Sequence, residues 1–134
     1  MKVTFLGTGT STGIPTIGVK RESCLSSDKR DNRLRSSILI EYKSKSILID
    51  CGPDFRQQML RINKTKVDAI FFTHEHADHT AGLDDIRPIS FHHGKIPIYA
   101  HQRVVDNLKN RFDYLFDKKG CLLYTSPSPR DTLL

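Results

Sequence analysis

The segment Thr73-His74-Glu75-His76-Ala77-Asp78-His79-Thr80 follows directly on Val67–Phe72, a nearly unbroken apolar run of strand length. A run of that kind reads as a central strand covered on both faces. Three histidines and two acids packed into His74–His79 cannot continue into a core. The chain therefore has to leave the sheet at Thr73, with the polar cluster held at the C-terminal end of the strand.

Within that cluster, His74 and His76 stand two residues apart. In extended chain, such residues point the same way, so both imidazoles can converge on one metal ion. If the chain then turns, Asp78 and His79 face a neighbouring ion. Neutral imidazoles with a carboxylate suit zinc and also accept manganese or iron. Glu75 points away from the pair in this geometry. A lone histidine reads as an ordinary surface or core residue, but four ligand-type residues in six positions read as a metal centre.

The rest of the chain supplies alternating strands and helices. Val3–Leu6 is a short strand running into Gly7-Thr8-Gly9-Thr10-Ser11-Thr12-Gly13. Those glycines stand as GxGxxxG and no helical pattern follows, which argues against a dinucleotide loop and for a tight turn at the strand end. Residues 19–35 read as a polar surface loop. Two strands, Ser37–Tyr42 and Ser46–Asp50, form a hairpin across Lys43-Ser44-Lys45. Asp50-Cys51-Gly52-Pro53-Asp54 then forces a turn into a helix carrying Phe55, Met59, Leu60 and Ile62. Beyond the histidines come a short helix near 84–90, a strand over 96–100, and a helix over 102–112 with Val104, Val105, Leu108 and Phe112 on one face. Alternation of this kind makes an α/β architecture.

These motifs resemble the metallo-β-lactamase superfamily of metal-dependent hydrolases. The resemblance rests on Thr73–His79, Ile47-Leu48-Ile49-Asp50-Cys51-Gly52 and Phe5-Leu6-Gly7-Thr8-Gly9. Within the superfamily, "GTGTSTGIPTIG", "RLRSSILIEY", "ILIDCGPDFRQQ" and "DDIRP" resemble the phosphoribosyl cyclic-phosphate phosphodiesterase branch, a relative of tRNA 3′-processing endonucleases. The resemblance implies the N-terminal half of a four-layer αββα sandwich. It implies two divalent ions, one on His74 and His76 and one on Asp78 and His79, with Asp78 in the catalytic centre and Asp50 supporting the ligands from behind. Two such ions about 3.5–4 Å apart would activate a hydroxide for attack on a phosphodiester. Arg87 and Arg35 are the weaker candidates for contacting substrate phosphate.

The same comparison sets limits. Where the branch carries three zinc-binding cysteines near its N-terminus, this chain has Val19, Arg21 and Cys24, so no zinc is expected there. A full dinuclear site also needs a histidine, a bridging aspartate and a final histidine from the C-terminal half. His92 and His93, in a glycine-containing loop, and His101, after a strand, read as non-ligands. "CLLYTSPSPRD", Cys121–Asp131, lacks periodicity and resembles the translation of a transposase-type sequencing adapter. The expected organisation is an incomplete hydrolase domain over 1–119 and a non-native, disordered tail over 120–134, with the 134-residue chain itself inactive.

Charge and composition bound the function further. The excess of 21 basic over 15 acidic residues gives +6, which suits an anionic substrate such as a small phosphodiester and permits RNA. No basic run concentrates that charge. No apolar stretch approaches the ~18 residues of a membrane span, and a cytoplasmic location is expected. Three widely spaced cysteines make neither a disulfide framework nor a paired zinc clip. The leading expectation is an intact form that is a dinuclear phosphodiesterase for a small cyclic or nucleotide-like phosphate. The alternatives are a tRNA-processing-type nuclease and a non-catalytic metal-binding module completed by a partner.

Overall fold

A computed structural model of the chain describes residues 1–124. Six strands form one sheet in the order β1-β2-β3-β4-β5-β6: Lys2–Gly7, Ser37–Tyr42, Lys45–Ile49, Ala69–Phe71, Ile96–Tyr99 and Leu122–Tyr124. β1, β2 and β3 pair antiparallel, while β3 to β6 run parallel. The β2–β3 connection is tighter than expected. Tyr42 pairs with Lys45, leaving Lys43 and Ser44 as a two-residue turn, both at positive φ, as a type I′ hairpin requires.

Period-two alternation sorts the side chains cleanly. Leu6, Leu39, Leu48, Ile70, Ile98 and Leu122 point to one face and are buried. All the long helices pack there. α2 (Phe55–Ile62) contributes Phe55 and Met59, and α5 (Gln102–Arg111) contributes Val104 and Leu108, to a core completed by Leu83, Ile86 and Leu115. α2 buries Phe55, Gln58 and Met59. Leu60, expected on that face, is exposed, because at 3.6 residues per turn it stands about 140° from Phe55. Asn63 ends α2 in the left-handed conformation, its N–H donating to the carbonyls of Leu60 and Met59.

The opposite face is open. β4 is interior to the sheet, yet the expectation that it is covered on both sides fails: Ile70 is fully buried and Phe71 is 39% exposed. The strand is also shorter than the apolar run, covering Ala69–Phe71, although Asp68 N–H and Phe72 N–H still donate to Ser46 and Tyr99 carbonyls at its two ends.

Three further expectations are corrected. The 19–35 loop contains a short helix α1 (Glu22–Leu25) and a 3-10 turn, Lys29–Asp31. His92 and His93 close helix α4 (Arg87–His93), which follows a 3-10 turn over Leu83–Ile86; Gly94 caps it rather than opening a loop that contains them. Order does not stop at 119. After the short helix α6 (Asp113–Phe116), Gly120, Cys121 and Leu122 are buried and Leu122–Tyr124 adds β6 to the sheet. The remainder of the expected tail lies outside the described residues. Among the described residues, no helix is long and apolar enough to cross a membrane.

Candidate metal centre

β3 and β4 are parallel neighbours and end together, with Ile49 opposite Phe71. The turns that follow them, Asp50-Cys51-Gly52 and Thr73–His79, the latter running into the one-turn helix α3 (Ala77–Thr80), therefore emerge side by side. Ligand sites in α/β sheets form at such carboxyl ends. Asp50 N–H donates to Phe71 O and Cys51 N–H to His79 O, and Gly82 N–H returns to Cys51 O. A Cβ on Gly52 would collide with the Asp78 carbonyl, and one on Gly82 with the Gly52 carbonyl. Glycine at both positions lets the two turns touch backbone to backbone.

Asp50 is the pivot. It is 4% exposed and sits at φ +61°, in the left-handed region, which aspartate tolerates better than most residues. Its Oδ1 accepts from Thr73 N–H at 2.8 Å, and its Oδ2 accepts from Thr73 Oγ1 and from His79 Nδ1, each at 2.7 Å. The hydroxyl of Thr73 has one proton, and it goes to Asp50. Thr73 Oγ1 is then the acceptor for His74 Nδ1 at 2.9 Å. One carboxylate thus fixes the ring protons of His79 directly and of His74 through Thr73. In both rings this leaves Nε2 as the free position in the neutral imidazole.

Donor atoms of His74, His76 and Asp78 all lie within 4.8 Å of one another. A tetrahedral zinc shell with bonds of about 2.0–2.2 Å needs donors a little over 3 Å apart, so small side-chain rotations close the set. His74 and Asp78 are half-buried and His76 is exposed, so the group opens to solvent. The His74 ring lies 4.7 Å from that of His76 and 4.2 Å from that of His79. His79 Nε2 is 3.0 Å from Asp78 Oδ2. Asp78 therefore joins the two pairs that the resemblance assigned to separate ions, grouping with His74 and His76 while touching His79. The residues fit a divalent metal by donor chemistry, by spacing and by the ring protons that Asp50 sets.

The remaining candidates are engaged elsewhere. Arg35 makes a two-oxygen contact with Asp54 and donates to Ser11 O, and Arg87 pairs with Asp84 at 2.7 Å. The hydroxyl of Tyr114, and after it Arg87, holds the Asp84 carboxyl below its usual range. His101 N-caps α5, its Nδ1 accepting from Arg103 N–H. Burial, reinforced by Asp85 and Asp50, pushes the Cys51 thiol well up, so it packs as a neutral apolar side chain. Glu75 is outside the close donor group and pairs with Arg103. Its carboxyl is held down first by its own backbone N–H and then by Arg103. Thr73, Thr80, Arg103 and Arg111 were missed from sequence. The two threonines flank the motif and were legible there, whereas the arginines, on α5, carried no local signal.

Comparison with known proteins finds several relatives. A family model described as a β-lactamase superfamily domain matches residues 45–131. The chain is 45% identical to the crystal structure of a new diphosphatase from the PhnP family, with a TM-score of 0.84, covering 92% of this chain and 50% of that one. It is 47% identical over 119 residues to an octanoyltransferase of Porphyromonas gingivalis, covering 88% of this chain and 24% of that protein. To a ribonuclease Z of Methanococcus maripaludis it is 33% identical over 101 residues, or 73% of this chain and 28% of that one. The chain thus spans about a quarter of these curated relatives and half of the solved one.

Proposed function

Since the chain belongs to the β-lactamase superfamily, we propose that its intact form is a metal-dependent phosphodiesterase acting on a small cyclic or nucleotide-like phosphate. The observation that carries this reading is the convergence of His74, His76 and Asp78 donor atoms, backed by one carboxylate, at the ends of two adjacent strands. His74, His76, Asp78 and His79 are the ligands proposed for two divalent ions, zinc first. Bound there, such ions activate water and neutralise phosphate charge. Asp78, touching both pairs, is the proposed catalytic carboxylate. Asp50 and Thr73 orient the imidazoles, and the exposed His76 marks the side from which substrate enters.

A small phosphodiester is preferred to RNA on the strength of likeness: 45% identity over 92% of the chain to the diphosphatase, against 33% over 73% to the ribonuclease Z. The net charge of +6 keeps RNA as the second reading. The octanoyltransferase likeness covers 24% of that protein, and an acyl-transfer role finds no support in a histidine and carboxylate cluster of this kind.

With four proposed donors for two ions, the 134-residue chain is expected to bind zinc without turnover. Equilibrium dialysis against zinc, together with hydrolysis of bis(4-nitrophenyl) phosphate by this chain and by a form carrying the downstream sequence, tests both statements. Zinc-dependent turnover by the short chain would refute its inactivity, and absence of turnover by the zinc-loaded longer form would refute the phosphodiesterase reading. Asp50→Asn, which keeps shape and tolerates the left-handed backbone, is expected to weaken zinc on the order of 10–100-fold with the fold retained. Unchanged affinity would remove Asp50 from its supporting role.

A further inference from the structure

The loop between the first two histidines is held from outside the sheet. Arg111, the last residue of α5, directs Nη1 at three acceptors: the Glu75 carbonyl at 2.9 Å, Thr80 Oγ1 at 3.0 Å and Asn107 Oδ1 at 3.1 Å. Thr80 is fully buried, and the single proton of its hydroxyl is shared between the His76 carbonyl at 2.9 Å and the Glu75 carbonyl at 3.2 Å. Both carbonyls flanking the peptide nitrogen and Cα of His76 are therefore fixed by one knot. Arg103, two turns earlier on α5, meets the Glu75 carboxylate through Nε at 3.2 Å and Nη2 at 3.3 Å.

We propose that Arg111 is a positioning residue for the metal centre, acting through the Glu75 carbonyl and Thr80 to set the separation of His74 and His76. The proposal rests on the reading of those histidines as metal ligands. A guanidinium donating to carbonyl and hydroxyl oxygens makes charge-assisted bonds, stronger than neutral ones. Its base is rigid, because Val104, Val105 and Leu108 are buried beneath it. Donor atoms within 4.8 Å still have to close on an ion, and a loop free to move would lose conformational freedom on doing so. Arg111 removes that freedom before metal arrives. The Arg103–Glu75 pair is exposed on the arginine side, at 71%, and exposed pairs contribute little. Arg111 is exposed as well, but its Nη1 reaches a backbone carbonyl and the hydroxyl of the fully buried Thr80, which makes it the principal clamp and Arg103 an auxiliary one.

The test compares the full chain with Arg111→Ala, Arg111→Lys and Arg103→Ala. Zinc affinity is measured by competition with a chromophoric chelator, and amide hydrogen exchange across 74–80 in metal-free protein. Arg111→Ala is expected to weaken zinc about 10–100-fold, the range for groups that orient ligands, and to speed exchange in the loop while α5 and the sheet stay protected. Lysine reaches fewer acceptors and is expected to restore part of both. Arg103→Ala is expected to change affinity less than about threefold. Wild-type affinity and exchange in Arg111→Ala overturn the clamp. So does equal loss in the alanine and lysine variants with exchange raised throughout the chain, the sign of a merely structural role. Should Arg111→Ala not fold, Arg111→Lys decides: unchanged affinity and loop exchange overturn the proposal. A wild-type chain that binds no zinc refutes the metal centre itself, whereas a binding wild type with an equally binding Arg111→Ala refutes this proposal alone.

Discussion

Replacing His74 and His76 together by alanine is expected to abolish zinc binding while leaving the metal-free fold intact. Structural zinc sites with four ligands have apparent binding free energies of about 10–16 kcal/mol, or roughly 3 kcal/mol per ligand. That corresponds to about a hundredfold in affinity for each ligand removed. Two of the three mutually close donors vanish in this variant, so a loss on the order of 10⁴-fold follows. The fold should survive, because His76 is exposed, His74 is half-buried, and neither belongs to the core around Leu48, Ile70 and Ile98. Asp50 keeps its bonds to Thr73 and His79. Isothermal titration with zinc and the thermal midpoint of the metal-free protein check both halves. The matched control is His92→Ala with His93→Ala, at the exposed end of α4, where no change is expected. Zinc binding that persists in the His74/His76 variant would show that the cluster is not the metal centre.

What could be read from the sequence divides along the range of the forces involved. The strands on either side of the hairpin, the helix after Pro53 and the helix from Gln102 are set by local periodicity and turn chemistry, and the structure reproduces them within a residue or two. The histidine cluster was equally legible, since ligand-type residues at short spacing need no partner to announce themselves. The apolar character of Leu60 points to the core, but its angle on the helix puts it in solvent. β6 has three residues, too few to carry a pattern, and pairing with β5 defines that strand. Arg111 had no signal at all. Its contact with Glu75 spans 36 residues, and an arginine in a helix's last turn reads locally as a response to the helix dipole. The open side of β4 was hidden for the opposite reason. The run Ala69-Ile70-Phe71-Phe72 states that both faces are apolar, but not what lies on each.

That second face leads to the other large expected effect: the 134-residue chain self-associates. Register aligns Phe5, Ile38, Ile49, Phe71 and Tyr99 across five neighbouring strands, and Val3, Ile40, Ile47 and Ala69 beside them. Phe5 is 68% exposed and Val3 45%, while Phe71 and Tyr99, stacked at 4.7 Å, are each 39% exposed. Large contiguous apolar surfaces on a protein mark association sites. In one half of an αββα sandwich this is the face on which the second sheet packs, so the chain alone offers it to another copy. Sedimentation velocity across a concentration series is expected to show oligomers, and a dye that brightens on apolar surfaces is expected to bind. Phe5→Lys with Phe71→Lys should return the chain to monomer and cut dye binding, at about 1 kcal/mol of strand preference per site. The core should not be disturbed, because both rings point away from it. A longer form in which a second sheet covers this face should bind little dye without any substitution. A wild-type chain that stays monomeric and dye-free at every concentration would mean that the face is covered, and the half-sandwich description of this chain would then be wrong.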